Sequence, residues 1–215
     1  MSHIFTHAIV RKPGDDFFRG ITTSNLGTPN YELILKQHEN YINTLRSLGI
    51  EVIVLNSLKD YPDAYFVEDT AVITPDIAII TNLGAEDRKG EEDTIEQALA
   101  RYRKTVHIRA PGTVEGGDVL LMDSHCFIGI SERTNREGSK QLGCILEEYG
   151  YTWAQVYVEA GLHLKSSINY MTDLRHPADN AYRCWHGAFG AHGTLRLAGN
   201  VQVLGVGQPV GDQGR

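Results

Sequence analysis

Two short apolar runs joined by a tight turn, AVIT and IAII around Pro75 and Asp76, constrain this chain more than any other feature. Each is too short for a helix, and the proline-aspartate break between them predicts a β-hairpin. A helical stretch, DTIEQALARYRK, and a further strand, VHIRA, come next. VLLMD and CFIGIS then repeat the strand pair, before a helix over TNREGSKQLGCILEEYG with Thr134 or Asn135 as its N-cap. Upstream, HAIVRK reads as a strand. Tyr31, Ile34, Leu35, His38, Tyr41, Ile42 and Leu45 form one helical stripe that Gly49 is placed to stop, and IEVIVLN reads as a buried strand. Hairpins inserted among helices give a mixed α/β class, not a strict parallel βαβ alternation. No dinucleotide fingerprint or phosphate loop is present.

Bulk properties narrow the function. The 215 residues carry a formal charge of -7 and show no basic stripe, which argues against nucleic acid as a partner. The N-terminal apolar run is short for a signal peptide, and no window reaches the length of a membrane span, so a cytoplasmic protein is expected. Cys126, Cys144 and Cys184 are odd in number and lack close pairing, as in a reducing compartment. Cys126 in a strand and Cys144 at an apolar helix position read as buried structural thiols. His163, His176, His186 and His192 form no i, i+4 ligand pair, so neither metal nor cofactor is expected.

Several clusters can carry chemistry. In PDAYFVEDT, Asp63, Glu68 and Asp69 bracket Tyr65 and Phe66; carboxylates beside aromatic faces suit a planar cation, although a solvated turn has the same composition. Arg88 follows a glycine turn and Arg133 sits at a helix entrance. Either is an ordinary surface charge or a bidentate grip on a carboxylate. Glu115 lies in APGTVEGGD, the densest turn of the chain, and His163 lies between two leucines in what reads as an apolar strand.

In order and spacing, RGITTSNLG (19–27), PDAYFVED (62–69), GAEDRKGE (84–91), APGTVEGGD (110–118), GISERTN (129–135) and GLHLKSS (161–167) resemble the dimethylarginine dimethylaminohydrolases. The likeness covers residues 1–171 and implies a pentein-type α/β propeller of pseudo-fivefold ββαβ units. It implies hydrolysis of Nω-methylated arginine to citrulline and methylamine through a cysteine thiouronium. Glu115 would bind the guanidinium and orient the catalytic His163. Asp63, Glu68 and Asp69 would take the remaining guanidinium and amino donors, with Phe66 lining the pocket. Arg88 and Arg133 would hold the substrate carboxylate, and Ile21 would supply a backbone contact. The partner is then a small molecule, with a homodimer as a possible assembly. Arginine deimination, and an inactive relative that binds arginine analogues, remain the alternatives.

Residues 172–215 depart from this pattern. From Met171 onward there is no Glu, Lys, Ile or Ser, while eight of the 22 glycines fall there. The family's cysteine motif is absent, leaving the nucleophile unknown, with Cys184 alone in that part of the chain. Shifted by one nucleotide, Arg175 to Asn180 can encode Asp-Thr-Leu-Leu-Ile-Thr, similar to a strand of the family. The tail is therefore expected to be out of frame, poorly anchored, and to leave the propeller incomplete.

Overall fold

The computed structural model describes residues 5–22, 27–159, 161–168 and the backbone of 202–205. Strands β1 (Phe5–Arg11), β2 (Glu51–Leu55), β3 (Ala71–Ile73), β4 (Ile77–Ile80), β5 (Lys104–His107), β6 (Val119–Met122), β7 (His125–Ile130), β8 (Thr152–Tyr157) and β9 (Gln202–Gly205) alternate with helices α1 (Tyr31–Ser47), α2 (Glu92–Leu99) and α3 (Arg136–Glu147). They form sheets ordered β9-β1-β2, β3-β4-β5 and β6-β7-β8. In each, the first strand runs antiparallel to the second and the third runs parallel to it. A helix makes each parallel crossover, so the same ββαβ unit occurs three times among the described residues.

Local chemistry explains the elements. Asn30 and Asn135 cap α1 and α3, their side chains accepting from the amides of Leu33 and Gly138. Gly49 ends α1 with φ +81°, a conformation that suits a residue without Cβ. The run Ile77–Ile80 lacks polar alternation because both faces of β4 are buried. Ile77 and Ile79 pack with Ile128, Leu142 and Leu146 of the third unit. Ala78 and Ile80 pack with Ile9, Ile95 and Leu99 on the other side. β4 thereby joins two cores.

Two expectations change, and two strands are added. The helix expected through Lys104 stops at Leu99, and Lys104 already pairs with Ile77 in β5. β2 is half-exposed rather than buried, with Val54 43% accessible. β8 was not legible as a strand, because Gln155 and Thr152 interrupt its apolar pattern. Within the tail, residues 202–205 form β9, whose backbone pairs with β1 at Ala8 and Ile9. Cys184 and the other residues of 172–215 outside β9 lie beyond the described residues.

Short 3-10 turns precede β3 (Val67–Thr70) and β6 (Gly116–Asp118), and a third follows β8 (Leu164–Ser166). The second turn packs against both others, at the place where the units meet.

Candidate active site

Those turns carry four of the residues singled out above. Glu68 and Asp69 lie in the first turn, Glu115 N-caps the second, and His163 N-caps the third. His163 is therefore on a loop and not on a strand; Leu164 is 3% exposed and Leu162 54%, an alternation that imitates a strand edge.

At the centre, His163 Nε2 lies 2.9 Å from Glu115 Oε2. Glu115 is 1% exposed, and its Oε1 accepts from the Ala85 amide at 3.1 Å. Burial alone would lower the His163 pKa. The Glu115 hydrogen bond and the charges of Asp69, Asp118 and Glu115 outweigh it and hold the imidazole above its ordinary value. Asp69 accepts from Arg88 Nη1 at 2.7 Å and from the Gly117 amide at 2.9 Å. Its burial would raise its pKa, but Arg88 and His163 overcome that and keep it below the usual range.

The glycines of APGTVEGGD now have a physical cause. A Cβ on Gly116 would stand 1.9 Å from the Glu68 carbonyl oxygen, and one on Gly117 would stand 2.6 Å from Cγ and Nδ1 of His163. Their absent side chains admit the Glu68 backbone and the imidazole itself.

The remaining expected residues surround this centre. Asp63 Oδ2 accepts from the Ile21 amide at 2.8 Å, and burial raises the Asp63 pKa. Ile21 is 48% exposed at the rim. Phe66 packs on Tyr65 with ring centroids 4.1 Å apart. Glu68 pairs with Lys165, which partly offsets the rise that burial causes in its pKa. Arg133 Nη1 lies 3.9 Å from Glu115 Oε1.

Arg88 is placed differently from a surface charge. It is 6% exposed, with Nε and Nη2 on Glu91, Nη1 on Asp69, and Nη2 also reaching the carbonyls of Asp63 and Phe66. A pattern read along the sequence cannot anticipate this, since Asp69 lies 19 positions away. Two buried carboxylates were also missed as site residues. Glu91 is pushed up to about 7 by burial, against the opposing pull of Arg88. Asp118 is fully buried beside the His163 loop. Glu91 stood in the same quoted motif as Arg88, and Asp118 in the same one as Glu115.

Ligand atoms of Asp69, Glu115 and His163 all fall within 4.8 Å of one another, assembled from three segments that an i, i+4 search cannot connect. Each carboxylate oxygen of Asp69 and Glu115 already has a protein partner, which suits the group to N–H donors. Neither cysteine expected to be inert belongs to this cluster. Cys126 is buried in β7, and burial pushes its thiol up to about 12. Cys144 is exposed on α3, contrary to the expectation that its apolar helix position is buried. No helix among the described residues is long and apolar enough to cross a membrane.

The repeated unit with acidic groups at its inner turns defines a pentein-type α/β fold. It is shared with a solved arginine dihydrolase domain from cyanobacteria, at TM-score 0.61 and 14% identity over 72% of this chain and 58% of that one. A family model, "N,N dimethylarginine dimethylhydrolase, eukaryotic", matches residues 13–173. The chain belongs to the dimethylarginine dimethylaminohydrolase family. It is 41% identical to the N(G),N(G)-dimethylarginine dimethylaminohydrolase of Pseudomonas aeruginosa over 78% of this chain and 67% of that protein. The Streptomyces coelicolor enzyme of the same name is 35% identical over 77% and 65%. A Pseudomonas aeruginosa structure, a cysteine-to-serine variant complexed with citrulline, superposes with TM-score 0.76 at 41% identity, covering 78% of this chain and 66% of that one. The chain thus spans about two thirds of the length of the relatives it matches.

Proposed function

We propose that this chain binds the guanidinium of an Nω-methylated arginine against Asp69, Glu68, Asp63 and Glu115, and serves its hydrolysis to citrulline and a methylamine. The observation that carries this reading is the buried His163–Glu115 contact of 2.9 Å, with Asp69 in the same cluster. Fixed carboxylates accept the planar N–H edges of a guanidinium and leave its carbon open to attack from the face. The Pseudomonas relative holds citrulline, the product that such a reaction releases.

His163 is the acid and base. The Glu115 hydrogen bond and the surrounding carboxylates raise its pKa above the ordinary value and so favour the imidazolium. After a thiolate adds to the guanidinium carbon, the C–N bond to the methylated nitrogen breaks and His163 Nδ1, the ring nitrogen that Glu115 does not hold, delivers the proton to the departing amine. Neutral His163 then takes a proton from water as that water adds to the thiouronium and the C–S bond breaks. Arg133, half-buried beside Glu115, is the grip on the substrate carboxylate. Arg88 has one Nη1 proton directed to Asp69, and only the other can join that grip. Phe66 and the Ile21 amide border the pocket. In this reading the nucleophilic thiol is unassigned: Cys126 and Cys144 lie outside the cluster, and Cys184 stands in no motif like the family's. A cytoplasmic setting and a homodimeric assembly belong to the same proposal; Cys126 and Cys144 are both free thiols.

The test is single-turnover citrulline formation by the purified chain from asymmetric dimethylarginine and from arginine, with and without thiol alkylation, alongside calorimetric binding. Alkylator-sensitive citrulline from the methylated substrate supports the proposal. Preference for arginine favours a deiminase, binding without product favours an inactive relative, and absence of binding overturns the reading.

A further inference from the structure

We propose that Asp118 is a positioning residue that ties together the two working ends of the site, the His163 loop and the turn that carries Arg133. The proposal rests on the functional reading above for what those two ends do.

Asp118 closes the Gly116–Asp118 turn and is 0% exposed. Its two oxygens serve different segments. Oδ1 accepts from the Leu164 amide at 2.9 Å, one residue past His163. Oδ2 accepts from the Ser131 hydroxyl at 2.7 Å. Ser131 Oγ in turn accepts from the amides of Arg133 at 3.0 Å and Thr134 at 3.2 Å. Thr134 Oγ1 then accepts from the Glu115 amide at 3.0 Å, which closes the connection back to the acid that holds His163. β7 leaves room for the carboxylate: a Cβ on Gly129 would stand 2.8 Å from Asp118 Oδ1.

Burial works against this carboxylate and raises its pKa, while Ser131, Thr134 and Leu164 supply the compensating hydrogen bonds. An apolar side chain of similar size would avoid that cost if filling space were the only requirement. What it could not supply is two acceptors on one rigid group. Those acceptors hold the main chain next to His163 and next to Arg133 at a fixed separation, so the acid–base group and the carboxylate grip share one frame. The tolerance needed for proton transfer to a bound substrate is of the order of 0.5 Å, which loops reach only when such second contacts lock them.

The chemistry of the two oxygens gives a test with the full-length chain. In Asp118→Asn the amide oxygen still accepts from Leu164, while its NH2 group cannot accept from Ser131. Asp118→Ala removes both acceptors with the same loss of charge. Ser131→Ala keeps the charge and the Leu164 bond and severs only the Arg133 side. Leu142→Ala, in the core of the third unit, is the control for general destabilisation. Should Asp118→Ala not fold, Asp118→Leu replaces it.

Two readouts are taken at one fixed pH. The first is the 1H–15N signals of the His163 imidazole and the Arg133 side chain, which need no ligand. The second is the ratio of affinities for Nω-methyl-L-arginine and its decarboxylated counterpart. We expect Ser131→Ala and Asp118→Asn to shift the Arg133 signals and lower the affinity ratio about tenfold, as for one lost charge-assisted hydrogen bond. Asp118→Ala should shift the His163 signals relative to Asp118→Asn, and Leu142→Ala should move none of them. Identical His163 signals in the Asn and Ala variants, or equal changes in the Leu142 control, overturn the proposal. If the parent chain binds neither ligand, the functional reading fails, and the imidazole and guanidinium signals alone decide the role of Asp118.

Discussion

Gly117→Ala is the smallest change that should dislodge His163. The added Cβ would meet the imidazole Cγ and Nδ1 at 2.6 Å and Asp69 Oδ1 at 3.1 Å, in a site where both neighbours are buried. Ordinary carbon contacts begin near 3.5 Å, so the ring must retreat by about 1 Å. The Nε2–Oε2 bond to Glu115 is 2.9 Å, and a shift of that size directed away from Glu115 takes it beyond hydrogen-bond range. Overpacking costs about 1–3 kcal/mol and the lost charged bond about 1.5–3, so a total of about 2.5–6 kcal/mol is expected. The sign of its pH dependence is fixed. The folded-state pKa of His163 lies above its unfolded value, so its stabilisation is fully present below the unfolded pKa and is lost as pH rises through the folded one. Without the Glu115 bond the imidazole pKa falls, and that contribution disappears from the variant. Urea unfolding should therefore show a larger deficit at about pH 5.5 than at about pH 9. A variant as stable as the parent, or a deficit that grows with pH, would refute the placement of the imidazole over Gly117.

Two further outcomes follow from buried groups elsewhere. Arg88→Ala leaves Asp69 and Glu91 facing each other's charge without their shared cation and should cost about 3–5 kcal/mol in equilibrium unfolding; a loss below about 1 kcal/mol would mean the guanidinium is solvated. Asn135→Ala removes an acceptor for both the Gly138 amide at 2.8 Å and the Thr113 amide at 3.1 Å. Thermal melts should register about 1–2 kcal/mol, more than an equivalent change at the exposed Asn30 cap.

What the sequence disclosed is what depends on neighbours along the chain. Asn135 and Gly49 announce helix ends because caps act within one turn, and the break at Pro75 and Asp76 announces a hairpin for the same reason. The acidic residues around Phe66, together with Glu115 and His163, were legible as candidates, and the structure gathers them at adjoining turns. Their relations were not legible. Arg88 depends on Asp69 and Phe66 from another segment, and Asp118 depends on Leu164, 46 positions away. β8 escaped notice because Tyr157 is 58% exposed and its neighbours are only half-buried, so no apolar face stands out. Cys144 misled in the opposite way: an apolar residue type on a helix surface carries no label of exposure.

The closure of the first sheet also sets a timetable. The second and third units are each contiguous in the chain and can assemble soon after their last strand, β5 or β8, leaves the ribosome. The first cannot: β1 begins at Phe5, yet its antiparallel neighbour begins at Gln202. At about 5–20 residues per second, the amino-terminal strand waits about 10–40 s for that neighbour. Of the described strands, the first made is thus the last to be sealed, and until β9 is made its open edge is available to any other nascent chain nearby.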